Sequence, residues 1–148
     1  MTMLQKCKEI FQKYREQLLY LVFGGLTIVV DFAVTFLLYR LWLDGFNAPD
    51  GFLHLADLIA WAAAVAFAYV TNRIWVFKSK QTGAVPILRE LSSFAGGRVL
   101  TLLLQEAVMA VFVTWLGCNK YLFRILAAGI VIVLNYVISK RIVFKRTK

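Results

Sequence analysis

Eight polar side chains lie in or beside stretches otherwise suited to hydrocarbon: Asp31, Asn72, Arg73, Arg98, Gln105, Glu106, Asn135 and Lys140. An ionisable group at mid-bilayer costs roughly 2.5–3.5 kcal/mol on insertion scales, so each needs a reason. Arg73, Arg98, Lys140 and the amide of Asn72 are donors suited to a phosphate, and an arginine fork can grip two of its oxygens at once. The carboxylates and amides of Asp31, Gln105, Glu106 and Asn135 suit the hydroxyls of a sugar. No nucleotide-binding G-x-x-x-x-G-K-[ST] occurs, and the single histidine, His54, has no metal-ligand cluster around it. Nothing resembles an activated nucleophile. The expectation is binding rather than catalysis, with no cofactor and no metal.

The elements that carry these residues are membrane spans. The chain is 61% apolar with a mean hydropathy of +0.72, above the usual share for a soluble domain. Residues 18–39 contain one charge, Asp31, and about 20 apolar residues suffice to cross a bilayer. Four helices are predicted, at about 18–42, 55–77, 91–117 and 120–144, forming a single all-α transmembrane domain over 1–148. The second and fourth have short uncharged cores, 58–72 and 125–139, and reach membrane length with Asp57 or Arg124 at one end and Arg73 or Lys140 at the other. Long basic side chains tolerate that position by snorkelling. Residues 1–17 place Leu4, Cys7, Phe11, Tyr14 and Leu18 on one helical face, the pattern of an amphipathic leader on the membrane surface. A plain solvated leader is the alternative. With the charges ahead of residue 18 and the length of 18–42, no cleavable signal peptide is expected.

A net charge of +9 and a pI near 9.8 would suggest nucleic acid in a soluble chain. Here the cations flank apolar segments, so no nucleic acid partner is expected. Lys6, Lys8, Lys13 and Arg15 precede the first span, and Lys78, Lys80 and Arg89 lie between the second and third. Lys140, Arg141, Lys145, Arg146 and Lys148 close the chain, whereas residues 43–56 have no cation and the last loop has only Lys120. This asymmetry puts both termini and the middle loop in the cytoplasm. Cys7 and Cys118 then lie on opposite sides, cannot pair within one chain, and have no C-x-x-C, so neither is read as reactive.

Every span has a small-and-polar stripe. Gly24, Thr27, Asp31 and Thr35 share a face, as do Arg98, Thr101 and Gln105, with Glu106 one step round. Asp57, Trp61, Ala64, Ala68 and Thr71 align, and so do Arg124, Ala128, Asn135 and Ser139. Small residues and interhelical hydrogen bonds hold membrane bundles together, so packing explains much of this. Two readings of the charges stay open: a structural Asp31–Arg98 ion pair, or a polar cavity that receives a charged headgroup.

The chain also writes one ending twice. "AYVTNRIWVFKSK" (68–80) and "NYVISKRIVFKRTK" (135–148) share their Tyr-Val, a basic residue and Val-Phe-Lys at an offset of 67, and "FGGLT" (23–27) and "AGGRV" (95–99) match at an offset of 72. The longer first outer loop accounts for the difference. Two helical hairpins in the same orientation are predicted, a parallel repeat about an axis along the membrane normal.

Over nearly its whole length the sequence resembles the GtrA-like family of small bacterial membrane proteins. The resemblance rests on "FGGLTIVVDF" (23–32), "AYVTNRIWVF" (68–77), "FAGGRVLTLLL" (94–104) and "NYVISKRIVF" (135–144). It implies a part in cell-surface polysaccharide synthesis in the bacterial cytoplasmic membrane. There the chain would flip a polyprenyl-phosphate-linked sugar, such as undecaprenyl-phosphate-glucose, to the outer leaflet. Its partners would be that lipid, the surrounding membrane lipids, and at most a membrane glycosyltransferase or a second copy. Carried over by motif, Asp31, Asn72, Arg73 and Arg98 are the implied site residues. In the second copy of the ending, Ser139-Lys140 replaces Asn72-Arg73 and Ile142 replaces Trp75. Two alternatives remain: a proton-coupled exporter of small cations resembling small multidrug resistance proteins, and a non-transporting scaffold for a glycosyltransferase.

Overall fold

A computed structural model describes residues 3–41 and 50–144, with side chains for 11–41 and 54–144. Four α-helices follow one another: α1 (Met3–Leu41), α2 (Asp50–Thr71), α3 (Ala84–Met109) and α4 (Lys120–Ile138). The last three each run on into a π-helical turn, at Asn72–Val76, Ala110–Trp115 and Ser139–Val143. Four stretches are long and apolar enough to cross a membrane: Phe11–Leu41, His54–Val76, Ala84–Trp115 and Lys120–Val143. The all-α, four-span reading therefore holds. The chain divides into two compact units, Met1–Lys78 and Ser79–Lys148, each one helical hairpin.

In the first hairpin α1 packs against α2. It runs from Met3 to Leu41 without interruption, so the predicted leader and first span are one helix. No proline or glycine lies between residues 3 and 23 to stop it. Leu4 and Cys7, two of the five residues of the expected apolar face, are outside the described side chains. Arg40 occupies the last turn of α1, a cation that counting the loops alone passes over. On α2, Ala56, Ala60, Ala64 and Ala68 are buried at every fourth position, the small ridge that lets helix backbones approach closely. Thr27 and Thr71 donate to the carbonyls of Phe23 and Phe67, at 2.8 and 2.9 Å, so each hydroxyl is satisfied within its own helix.

In the second hairpin α3 packs against α4. Helix α3 begins at Ala84, seven residues before its predicted start at 91. Gly83 caps it, and Pro86 falls in the first turn, where backbone N–H groups have no intrahelical partner and proline costs little. A proline followed by Arg89 and Glu90 reads as loop in sequence, which makes the helix look shorter than it is. A Cβ on Gly97 would come within 2.9 Å of the Ile138 methyl, so α4 approaches α3 closely at this glycine. Asn119 caps α4 by accepting from the N–H groups of Tyr121 and Leu122, at 3.0 and 3.2 Å. Phe112 and Phe123 stack across the same end of the hairpin at 4.8 Å.

The repeated endings are the same structure twice. The N–H of Phe77 donates to the carbonyl of Asn72, and that of Phe144 to the carbonyl of Ser139, both at 2.8 Å. Each is a five-residue step that widens the last turn by one residue. Val76 and Phe77 in one copy, and Val143 and Phe144 in the other, are all buried. The wide turn delivers the closing phenylalanine inward. Tyr20 meets Phe77 at 6.3 Å, and Phe94 meets Phe144 at 6.0 Å.

Candidate lipid-phosphate site

The end of the first hairpin where α2 meets its π turn gathers Tyr69, Asn72 and Arg73. Arg73 donates through Nη1 to the Tyr69 hydroxyl at 2.9 Å, and its guanidinium carbon is 6.0 Å from the same ring's centre. That bond aims a half-buried cation. Asn72 is fully buried; its Nδ2 donates to the Ala68 carbonyl at 2.6 Å, while its Oδ1 has no partner. Asn72 therefore sits beneath the surface that Arg73 presents. Phe23 of α1 stacks on Trp75 at 5.4 Å, which sets the level of α1 beside this turn. Asp31 lies eight residues further along α1, about 12 Å deeper at ~1.5 Å per residue. Its carboxylate is half-buried, and among the described residues of this hairpin nothing hydrogen-bonds to it. At the far end, Asp57 accepts from the Tyr39 hydroxyl at 2.7 Å.

In the second hairpin Arg98 is half-buried, with its guanidinium 5.2 Å from the centre of the Phe94 ring, a cation–π geometry. Its position along α3 differs from expectation. Counted from 91, Arg98 would be ~10 Å into the helix; counted from Ala84, it is ~21 Å in. Gln105 and Glu106 lie about 11–12 Å beyond it, the first half-buried and the second exposed. Asn135 is buried and accepts from the Thr101 hydroxyl at 2.9 Å, which joins α3 to α4 one turn past Arg98. Lys140 is exposed, and its Nζ donates to the Tyr136 hydroxyl at 3.0 Å. Asp31 and Arg98 belong to different hairpins.

The Thr101–Asn135 bond yields a stability prediction. Interhelical hydrogen bonds in membrane bundles average roughly 0.6 kcal/mol and reach roughly 1.7. Thr101→Val should therefore destabilise the folded chain by about 1 kcal/mol in a reversible unfolding titration. Thr27→Val should be near neutral, because that hydroxyl bonds only within α1. Equal effects would mean that the Asn135 amide is not held by Thr101.

Residues 19–144 match the GtrA/DPMS transmembrane domain. The chain belongs to this family. GtrA-type relatives resemble it along most of both chains. The "Cell wall teichoic acid glycosylation protein GtcA" of Listeria innocua is 40% identical over 133 residues, covering 88% of this chain and 86% of that one. The protein of the same name in Listeria monocytogenes serovar 1/2a is 39% identical over 131 residues, with the same coverage. The "Uncharacterized membrane protein YwcD" of Bacillus subtilis is 34% identical over 130 residues, covering 88% and 97%. No solved structure matches. With four apolar helices and bacterial relatives, this GtrA protein is a multi-pass protein of the bacterial cytoplasmic membrane.

Sequence reasoning missed two residues that the fold places beside its two closing π turns, Tyr69 and Tyr136. The signal was present: each tyrosine precedes a basic residue by four, the spacing that brings helical side chains together. It also missed that Phe94 backs Arg98. Among the described residues, no three of His, Cys, Asp or Glu come together as metal ligands would.

Proposed function

We propose that this protein carries a polyprenyl-phosphate-linked sugar from the cytoplasmic to the outer leaflet, for attachment to a cell-surface polymer. Membership of a family whose relatives are named for teichoic acid glycosylation supports this reading most. A wall polymer lies outside the membrane, so a lipid-linked sugar made inside must cross before use. The chain's chemistry suits such an amphiphile. In the first hairpin Arg73, aimed by Tyr69, and Asn72 suit a phosphate, and in the second Arg98 and Lys140 are cations suited to one. Asp31, Gln105, Glu106 and Asn135 suit the glycan, and the isoprenoid tail stays in lipid. The role is carriage rather than catalysis.

The deciding experiment reconstitutes the purified chain alone in proteoliposomes and follows which leaflet exposes a polyprenyl-phosphate sugar. Faster equilibration than in empty vesicles is expected. No acceleration would leave the scaffold reading, in which a glycosyltransferase supplies the movement.

The same reading places both termini in the cytoplasm. In cells, a membrane-impermeant thiol reagent should label native Cys118 from outside once Cys7 is replaced. A cysteine at Lys80 should react only after the membrane is breached. Labelling of Lys80→Cys in intact cells would overturn the orientation.

A further inference from the structure

The two hairpins build one aromatic frame and load it differently. In the first, Phe77 of the closing turn meets Tyr20 of α1, with ring centres 6.3 Å apart and planes at 57°. In the second, Phe144 meets Phe94 of α3 at 6.0 Å and 54°. All four rings are buried. One helical turn further on, the residues differ: Gly24 follows Tyr20 by four, and Arg98 follows Phe94 by four. A Cβ on Gly24 would meet nothing within 4 Å. The Arg98 guanidinium carbon, in contrast, is 5.2 Å from the centre of the Phe94 ring.

That difference bears on why Arg98 is there. The matching ring pair closes the first hairpin with a glycine in that place, so the frame itself does not require a cation. Arg98 is half-buried, and among the described residues of its hairpin nothing accepts a hydrogen bond from its guanidinium. Withdrawing charged donors from water without giving them an acceptor is costly. A cation over a ring is held by its charge, and that contact leaves its five N–H donors for lone pairs elsewhere. Phe94 is in turn backed by Phe144, which comes inward because its N–H closes the π turn on the Ser139 carbonyl at 2.8 Å.

We propose that Phe94, backed by Phe144, is a positioning residue that holds Arg98 for the phosphate of the carried lipid. This rests on the function proposed above and deepens it. The ring fixes where the charge stands, and the fork of donors stays available for two phosphate oxygens. The second ending then has a task of its own, since its wide turn supports the ring that carries the cation. The repeat supplies the frame twice and this cation once.

The test measures binding of farnesyl phosphate, a short-chain prenyl phosphate, and of phosphate-free farnesol to the full-length chain in phosphatidylcholine nanodiscs. The wild type should prefer the phosphate. Arg98→Gln should cut that preference about 10- to 100-fold, through loss of a hydrogen-bonded charge. Phe94→Leu should cut it about 2- to 5-fold, as expected for a cation–π contact. In the Arg98→Gln background Phe94→Leu should cut it no further, because the ring acts only through the arginine. Tyr20→Leu, the same loss from the matching frame, should leave the preference intact. Thermal unfolding is followed on each preparation, and if Phe94→Leu does not fold, Phe94→Met, which fills an irregular gap without a ring, takes its place. An equal loss in both backgrounds, or no loss in the wild type, would overturn the positioning role. A preference that survives Arg98→Gln would overturn the part given to Arg98 and leave the proposed function standing, with Arg73 for the phosphate. No preference in the wild type would overturn both. Phosphatidylglycerol or inorganic phosphate binding as tightly as farnesyl phosphate would overturn the assignment to the carried lipid.

Discussion

Asp31→Asn should leave the chain folded in the membrane and abolish transfer of the sugar lipid. The two side chains have nearly the same shape, so the substitution opens no cavity in α1. Insertion should become easier, because a carboxylate at membrane depth costs roughly 2.5–3.5 kcal/mol on insertion scales and an amide costs less. In its own hairpin the carboxylate has no donor to lose among the described residues, so packing there gives no reason for the charge. What asparagine lacks is a full negative charge to accept from sugar hydroxyls, or from whatever cation the transport cycle brings to it. Leaflet exchange in proteoliposomes and a thermal unfolding curve on the same preparation measure the two quantities. Undiminished transfer would reduce Asp31 to a packing residue. Lost folding would instead reveal a buried ion pair, since stripping one partner strands the other charge at about 3–5 kcal/mol.

Arg73→Lys should weaken transfer about 10- to 100-fold although the charge is kept. A hydrogen bond to a charged group contributes roughly 1.5–3 kcal/mol, and an ammonium cannot make the second of two parallel bonds to a phosphate. Folding should survive, because Lys140 already occupies the matching place in the second hairpin and bonds its tyrosine in the same way. Comparing a short-chain polyprenyl-phosphate sugar with its phosphate-free analogue isolates the cause. If the wild type binds both equally, Arg73 is a topology anchor and the phosphate assignment fails.

Hydropathy and charge placement were enough to count the spans, since apolar runs near 20 residues have one stable environment. The duplicated "VF" endings were enough to see two hairpins, because identical local chemistry builds identical local structure. Helix limits were read less well. Pro86, Arg89 and Glu90 resemble a loop, yet a proline in the first turn gives up no hydrogen bond, and α3 starts at Ala84. The leader and first span merged because nothing between residues 3 and 23 ends a helix. In both cases the deciding fact was a backbone bond that was or was not available, and composition does not report it.

The candidate residues divide in the same way. The sequence by itself marked Asp31, Asn72, Arg73, Arg98 and Lys140, because charges and amides stand out against an apolar background. Only the tertiary structure decided what each can do. It tied Asn135 to Thr101 across α3 and α4, buried Asn72 under its turn, and set Arg98 beside Phe94. It also converted both endings into π turns, a change of one residue per turn that no hydrophobic period betrays. Residue type and spacing determine which donors exist and on which face they begin. The direction of a long side chain depends on the wall it meets, here the phenols of Tyr69 and Tyr136, and that wall exists only once the helix has closed into its wide last turn.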